Sequence, residues 1–326
     1  MPTARAFFPF NPWRFTDEAS RPEIMPAPAV SICIPAYQAG AFIGETLASL
    51  RAQTFVDWEA QVVEDGTNDD TEKHVRAFAA GGAQSVHFQR HAVNQGLPAT
   101  RNTAIATAQG EWIALLDADD LWTPRHLELA IALARETGAE IIHTGVVLFE
   151  SESGRELATR EPSAEALAAF PLSLFRGDYP IQPSSALIRR DALVRAGGFD
   201  PRCRYVEDRE LWLRLVRGGA RVSFVAERTC RYRQHGAAMT RNASAMALGV
   251  AEVFERNADW EAIPAGLRRE RAASGWLDAA RLVLRSDPRL ARTYLARARR
   301  HRPLSPRLFA YDAAAALLSF SRKKSA

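Results

Sequence analysis

Three aspartates, Asp117, Asp119 and Asp120, stand directly after the apolar run Trp112-Ile113-Ala114-Leu115-Leu116. That run is long enough for one buried strand. Carboxylates at the end of a strand buried on both faces are costly unless something cationic neutralises them. A divalent cation is the simplest partner. Hard cations take oxygen ligands and keep coordination sites open for substrate phosphates. The competing reading is an acidic turn that caps the next helix. A second acidic pair, Glu207-Asp208, opens a segment whose Leu211, Leu213, Leu215 and Val216 give it an apolar face. The helix dipole favours carboxylates there. A carboxylate within reach of a hydroxyl is also a general base.

The elements that must position these groups follow from the hydropathy pattern. Val30 to Ile34 reads as a first strand stopped by Pro35, and Phe42, Ile43, Thr46, Leu47 and Leu50 follow at helical spacing. Trp58 to Val63 reads as a second strand, Thr71 to Ala80 as a helix, Val86 to Phe88 as a short strand, and Pro98 to Ala108 as a helix. This alternation predicts a parallel sheet with right-handed crossovers. The loops after Ile34, Val63 and Leu116 then share one edge, which collects Tyr37, Asp65, Asp117 and Asp119. Open α/β sheets bind ligands at that edge.

Composition sets the outer limits. The 326 residues suffice for one large domain or one with an appendage. Cys33, Cys203 and Cys230 are widely spaced, which suits reduced thiols in a cytoplasmic setting better than a disulfide or zinc framework. Charge is uneven: from Arg241 onward there are 17 Lys+Arg against 8 Asp+Glu, whereas residues 1–240 carry 25 against 30. No stretch reaches the ~20 apolar residues needed to span a bilayer, and the opening MPTARAFFPFNPWRF has no apolar core of a signal peptide. Residues 1–29, rich in proline, read as an extended arm.

The segment from Val30 to Thr71 resembles the opening of the family 2 glycosyltransferases, which have the GT-A fold. The family's later signatures are matched by Asn94-Gln95-Gly96, Thr100-Arg101-Asn102, Asp117-Ala118-Asp119, and Gly197 to Asp200 followed by Glu207-Asp208. The resemblance covers about residues 30–240. It departs at Glu64 and Thr67, where Asp and Ser are usual, and at Thr100, where Ala is usual. It implies an α/β, Rossmann-like, mostly parallel sheet flanked by helices over 30–240, followed by a basic helical region over 241–326.

The resemblance also implies a hexosyl-type glycosyltransferase that uses a nucleotide-diphosphate sugar, by family habit a UDP-sugar, with Mn2+ or Mg2+. Donor binding would fall to Pro35, Ala36, Tyr37, Glu64, Asp65, Arg101, Asp117 and Ala118. Tyr37 would stack on the base, or else pack as a core aromatic. Asp65 would accept from a uracil-like N–H, or else cap a helix. Arg101 would approach the diphosphate, or pair with one of the acids. Asp119 is expected as the direct metal ligand and Asp117 as a ligand through water or a ribose contact. His235 would complete the metal shell or reach the diphosphate, unless it does neither. Asp208 is expected as the base and Glu207 as the group that orients the acceptor, giving inversion. Asp120 is expected to cap a helix starting near Thr123-Pro124.

The acceptor is expected to be a glycan, a lipid-linked glycan or a protein, in cell-envelope or extracellular polysaccharide synthesis. Nucleic acid is not an expected partner. Residues 246–256, 265–286, 288–300 and 305–320 read as helices. The last of these, with Arg322, Lys323 and Lys324, suits peripheral contact with the inner face of an anionic membrane, and a solvated helix is the alternative. Two other classes stay open, a sugar nucleotidyltransferase and a non-catalytic sugar- or nucleotide-binding scaffold on the same fold. The first would favour a Gly-rich, basic loop after the first strand, which Pro35 to Gly40 lacks.

Overall fold

A computed structural model describes residues 27–235 and 242–324. The predicted arm thus lies outside the described residues except for 27–29, which form no strand or helix. The first half is β1 (Val30–Ala36), α1 (Ile43–Arg51), β2 (Trp58–Glu64), α2 (Thr71–Ala80), β3 (Val86–Arg90), α3 (Leu97–Thr107) and β4 (Trp112–Leu115). Then come β5 (Leu121–Trp122), α4 (His126–Thr137), β6 (Ile141–Glu150), β7 (Glu156–Arg160), α5 (Ala164–Ala168) and α6 (Leu172–Arg176). β8 (Ala186–Arg189), α7 (Arg190–Arg195), α8 (Glu207–Arg217) and β9 (Val222–Gln234) complete the sheet region. Four helices follow: α9 (Ala243–Arg256), α10 (Ala265–Val283), α11 (Pro288–His301) and α12 (Pro306–Lys324).

The nine strands form one sheet in the order β3-β2-β1-β4-β8-β6-β9-β5, with β7 on β6. β1 pairs in parallel with both β2 and β4, and β2 with β3, as the alternation predicted. β8 runs antiparallel between β4 and β6. Both faces of the sheet are covered, which explains the continuous apolar runs. In β1, Val30, Ile32 and Ile34 join one core with Leu47, Leu50 and Leu127, while Cys33 joins the other with Ile105, Phe199 and Leu211. All three cysteines are buried and free.

The second half of the sheet is less regular than the first. Residues 156–160 form strand β7. Its five residues are all exposed, so no apolar alternation marks it, and main-chain pairing to β6 holds it. β9 is one strand of 13 residues. It pairs in parallel with β6 across register shifts near Thr144 and Gly145. α4 starts at His126 without a side-chain cap, so Asp120 does not cap it.

The C-terminal helices build a third core around Trp276, Leu295, Leu308 and several alanines. α9 also turns Val253 and Phe254 into the core beneath α8. Among the described residues no helix is long and apolar enough to cross a membrane.

Candidate active site

The registers Ala36↔Glu64 and Cys33↔Leu115 end β1, β2 and β4 together, so their three following loops lie side by side. Pro35 and Ala36 are buried in the end of β1. Tyr37, next along the chain, is 55% exposed, which removes the core-aromatic alternative and leaves its ring open to a ligand. Gln38 beside it holds φ at 51°, in the left-handed region that non-glycine residues seldom occupy.

Asp65 is buried and already occupied. It accepts hydrogen bonds from the backbone N–H groups of Gln95 and Gly96, each at 2.8 Å, and its Oδ1 lies 2.8 Å from His91 Nδ1. Burial alone would raise its pKa, but Gln95, His91 and Gly96 together hold it below the usual aspartate value. Asp65 therefore clamps the Asn94-Gln95-Gly96 loop onto β2. Gly66, at φ 72°, lies flat against Val93 and Asn94, where a β-carbon would collide with their backbone. The expected capping role belongs to Asp69, whose carboxylate accepts from the N–H of Thr71 at 3.0 Å and of Gly40 at 2.8 Å. Glu64 is fully buried, accepts from Thr67 Oγ1 at 2.7 Å and pairs with Arg90 at 2.5 Å.

The acidic loop after β4 is held from four directions. Ala118, itself buried, has its carbonyl bonded by Thr46 at 2.9 Å. Arg233 Nε donates to the Asp119 carbonyl at 2.7 Å. Asp120 is fully buried and accepts from Ser184 Oγ at 2.5 Å and from the Arg233 N–H at 2.8 Å. Burial pushes the Asp120 carboxyl well above its usual pKa, with Asp119 and Asp117 adding to the effect. Asp120 is thus a buried anchor, and Ser184 is its partner rather than a plain strand-edge hydroxyl. Asp119 keeps a third of its side chain exposed, and its Oδ2 lies 2.9 Å from His235 Nε2. Burial and Asp117 raise its pKa, against the pull of His235.

Arg101 joins this loop to the second acidic pair. It is 1% exposed, donates to Asp117 Oδ1 at 2.6 Å and to Glu207 Oε1 at 2.8 Å, and packs over the Phe199 ring. Burial would lower its pKa, but Asp117 and Glu207 raise it above the usual arginine value. Of the two alternatives for Arg101, the ion pair is the one present, and it is made twice. Glu207 and Asp208 occupy the first turn of α8. Burial pushes Glu207 up to about 7 despite Arg101, with Asp208 adding to the rise. Burial raises Asp208 as well, against the Arg209 N–H that bonds its Oδ1 at 2.6 Å. Burial outweighs the helix dipole at both carboxyls, and proton affinities raised in this way are what a base needs.

Among the described residues no group of three or more His, Cys, Asp or Glu side chains converges on one ion position. The structure brings Asp119 to His235 and ties Asp117 to Arg101. Three supporting residues had little sequence signal. His91 is a lone histidine after a short strand. Ser184 is one of two serines in an apolar return. Arg233 lies inside a basic run that gives no hint of its burial.

Residues 31–195 match the family model for Glycosyl transferase family 2. The chain belongs to that family. It is 28% identical to the uncharacterized glycosyltransferase RT0329 of Rickettsia typhi over 220 residues, which is 67% of each chain. It is 29% identical to the Escherichia coli UDP-Glc:alpha-D-GlcNAc-diphosphoundecaprenol beta-1,3-glucosyltransferase WfgD over 124 residues, 38% of this chain and 48% of WfgD. Residues 1–349 of S. aureus TarS in complex with UDP-GlcNAc share its fold at TM-score 0.67 and 16% identity, over 90% of this chain and 92% of that one. The mannosyltransferase PcManGT of Pyrobaculum calidifontis, with GDP-Man and Mn2+, aligns at TM-score 0.58 and 18% identity, over 91% of this chain and 90% of that one. These likenesses show the GT-A fold, and the family membership makes the chain a glycosyltransferase.

Proposed function

We propose that this glycosyltransferase moves a sugar from a UDP-sugar to an acceptor hydroxyl in cell-envelope or extracellular polysaccharide synthesis, with inversion at the anomeric carbon. The observation that carries this reading is one buried arginine, Arg101, bridging the Asp117 loop to Glu207-Asp208. A donor-side acid and an acceptor-side acid are thereby fixed on one rigid group, as displacement between two bound substrates requires. UDP-GlcNAc on TarS supports the donor class, and the lipid diphosphate in the name of WfgD supports a lipid-linked acceptor.

In this reading Tyr37 offers its exposed ring to the base, and Asp65 holds the loop that flanks it. Asp208 takes the proton of the acceptor hydroxyl. The oxygen then attacks the anomeric carbon as the bond to the diphosphate breaks, leaving the configuration inverted. Glu207, fixed by Arg101, orients the acceptor. Asp119 would hold Mn2+ or Mg2+ through its carboxylate, with His235 as an acceptable but less preferred ligand for Mn2+ and Asp117 acting through water. Two protein ligands leave room for substrate phosphates, which is usual for such cations. A bound ion supplies charge to the departing diphosphate, and the Mn2+ of PcManGT supports that class of ion.

The test is a binding panel of nucleotide sugars with and without Mn2+. One donor should bind only with metal, and Asp119→Ala should weaken that binding about 10- to 100-fold. Unchanged metal dependence in the variant would count against the Asp119 role. Failure of every donor to bind would sink the whole reading.

A further inference from the structure

Arg209 in the first turn of α8 and Arg271 in α10 come from distant parts of the chain and meet at Gly177, just after α6. A β-carbon at Gly177 would lie 3.3 Å from both terminal nitrogens of Arg209 and 3.6 Å from Nη2 of Arg271. Both guanidiniums also pack over the Phe254 ring, at 5.9 and 4.7 Å from its centroid. Both residues are half-buried. Neighbouring arginines are paired: on α8, Arg214 with Glu210 and Arg217 with Asp259, and at the end of α9, Arg256 with Asp200. Among the described residues no carboxylate or other acceptor meets the side chain of Arg209 or Arg271. The Nε of Arg271 is buried without a partner. Two like charges are therefore held together in a partly desolvated place, with no direct side-chain ion pair and only the Asp208 charge nearby to offset them. Burial and Arg271 together lower the pKa of Arg209, and only Asp208 opposes them.

We propose that Arg209 and Arg271, converging at Gly177, form an anion site that holds a phosphate group of the acceptor beside Asp208. The inference rests on the reading of Asp208 as the acceptor's base. A phosphate brings up to two negative charges and three acceptor oxygens, which match two arginine forks. α10 thereby contributes a substrate contact, and acceptors without phosphate lose it.

The test is calorimetric titration of the full chain with inorganic phosphate in saturating UDP, which keeps the donor's own phosphate positions filled. Wild type should bind phosphate saturably. Arg271→Gln and Arg209→Gln should each weaken that binding about tenfold or more, Arg271→Lys less, with UDP binding unchanged. Without phosphate, Arg271→Gln should melt at or above the wild-type temperature, because it relieves repulsion. A lower melting temperature with an unaltered phosphate isotherm would mean that the pair only packs on Phe254, and would overturn the site. UDP binding without saturable phosphate binding would overturn it too. Phosphate binding without UDP binding would keep the site and sink the donor reading. Glycerol 3-phosphate and farnesyl diphosphate separate the sources. Preference for the first points to a phosphate ester in a glycan, and preference for the second to a lipid diphosphate.

Discussion

The ligand edge of the sheet and the C-terminal helix bundle are built by different means. At the edge, buried polar groups are fixed by specific partners, as Asp65 is by Gln95 and Gly96, Asp120 by Ser184, and Arg101 by two carboxylates. In the bundle, Gly275 lies against Ala251, and Ala280, Ala291 and Ala298 share the core with Trp276. Some buried polar atoms there have no hydrogen-bond partner, among them Trp276 Nε1 and Arg299 Nε. Charged groups that must sit within hydrogen-bond reach of reacting atoms need directional bonds to hold them. Helices that only have to stack can rely on close packing of small residues, which tolerates many sequences.

Four substitutions break or sharpen that contrast. The largest effect is expected at Asp208. Asp208→Asn should lower sugar transfer about a thousandfold while donor binding is kept, as measured by turnover beside a binding isotherm. Normal turnover would remove Asp208 from the base role. Next is Arg101→Met, which leaves buried Glu207 and half-buried Asp117 without their cation. Chemical denaturation should show a loss of about 3–5 kcal/mol, and a loss under about 1 kcal/mol would mean that the edge is not held by its ion pairs.

On the other side of the contrast, Gly275→Val pushes a branched side chain toward Ala251, whose Cα would lie 2.9 Å from the new β-carbon. The expected cost is about 1–3 kcal/mol, with donor binding intact. Donor binding lost at the same rate as stability would erase the distinction between the two regions. The smallest effect is a slope. Burial brings His126 and His143 down to about 3 in the folded chain, below their unfolded value. Below about pH 6.5 the unfolded chain takes up protons that the folded chain refuses, so their stabilisation is lost as pH falls toward 3. His143→Gln should narrow the gap to wild type by about 1.4 kcal/mol for each unit of acidification in that window. The raised carboxyls of Glu207, Asp208, Asp119 and Asp120 act in the opposite sense, but they cancel in the difference. A gap that does not change with pH would show that His143 is charged when folded.

Legibility in the sequence followed the same division. The parallel order around β1 was readable because buried strands and amphipathic helices alternate with clear periods, and the acidic motifs ended those strands. Helices 9 to 12 were readable as helices from alanine, leucine and arginine alone. Their packing was not, since an alanine-rich face carries no register. β7 was hidden because both of its faces meet solvent and only the main chain pairs. Arg101 showed its charge but not its burial, and Arg209 and Arg271 could not be paired because nothing local to either residue indicates the other. Asp65 was visible as a loop acid, yet its hold on residues 95 and 96 depends on how two loops meet.

The acidic loop also bears on how the chain comes to be assembled. Asp119 and Asp120 are gripped by Arg233, more than a hundred positions later, and Arg101 waits as long for Glu207. Long-range closures of this kind are slow and come late, because the intervening chain must be ordered first. As the polypeptide emerges from its N-terminus, β1 to β4 can align and pack long before the groups at their ends have counterparts. A chain stopped at residue 195, where the family match ends, would possess those strands but lack Glu207, Asp208, Arg233 and His235. It would keep Arg101 on Asp117 and Ser184 on Asp120, but Asp119 and Asp120 would lack the bonds from Arg233 and His235. The bonded frame of the acidic loop is therefore complete only once β9 has been made, and a nascent chain shorter than that is an unfinished sheet.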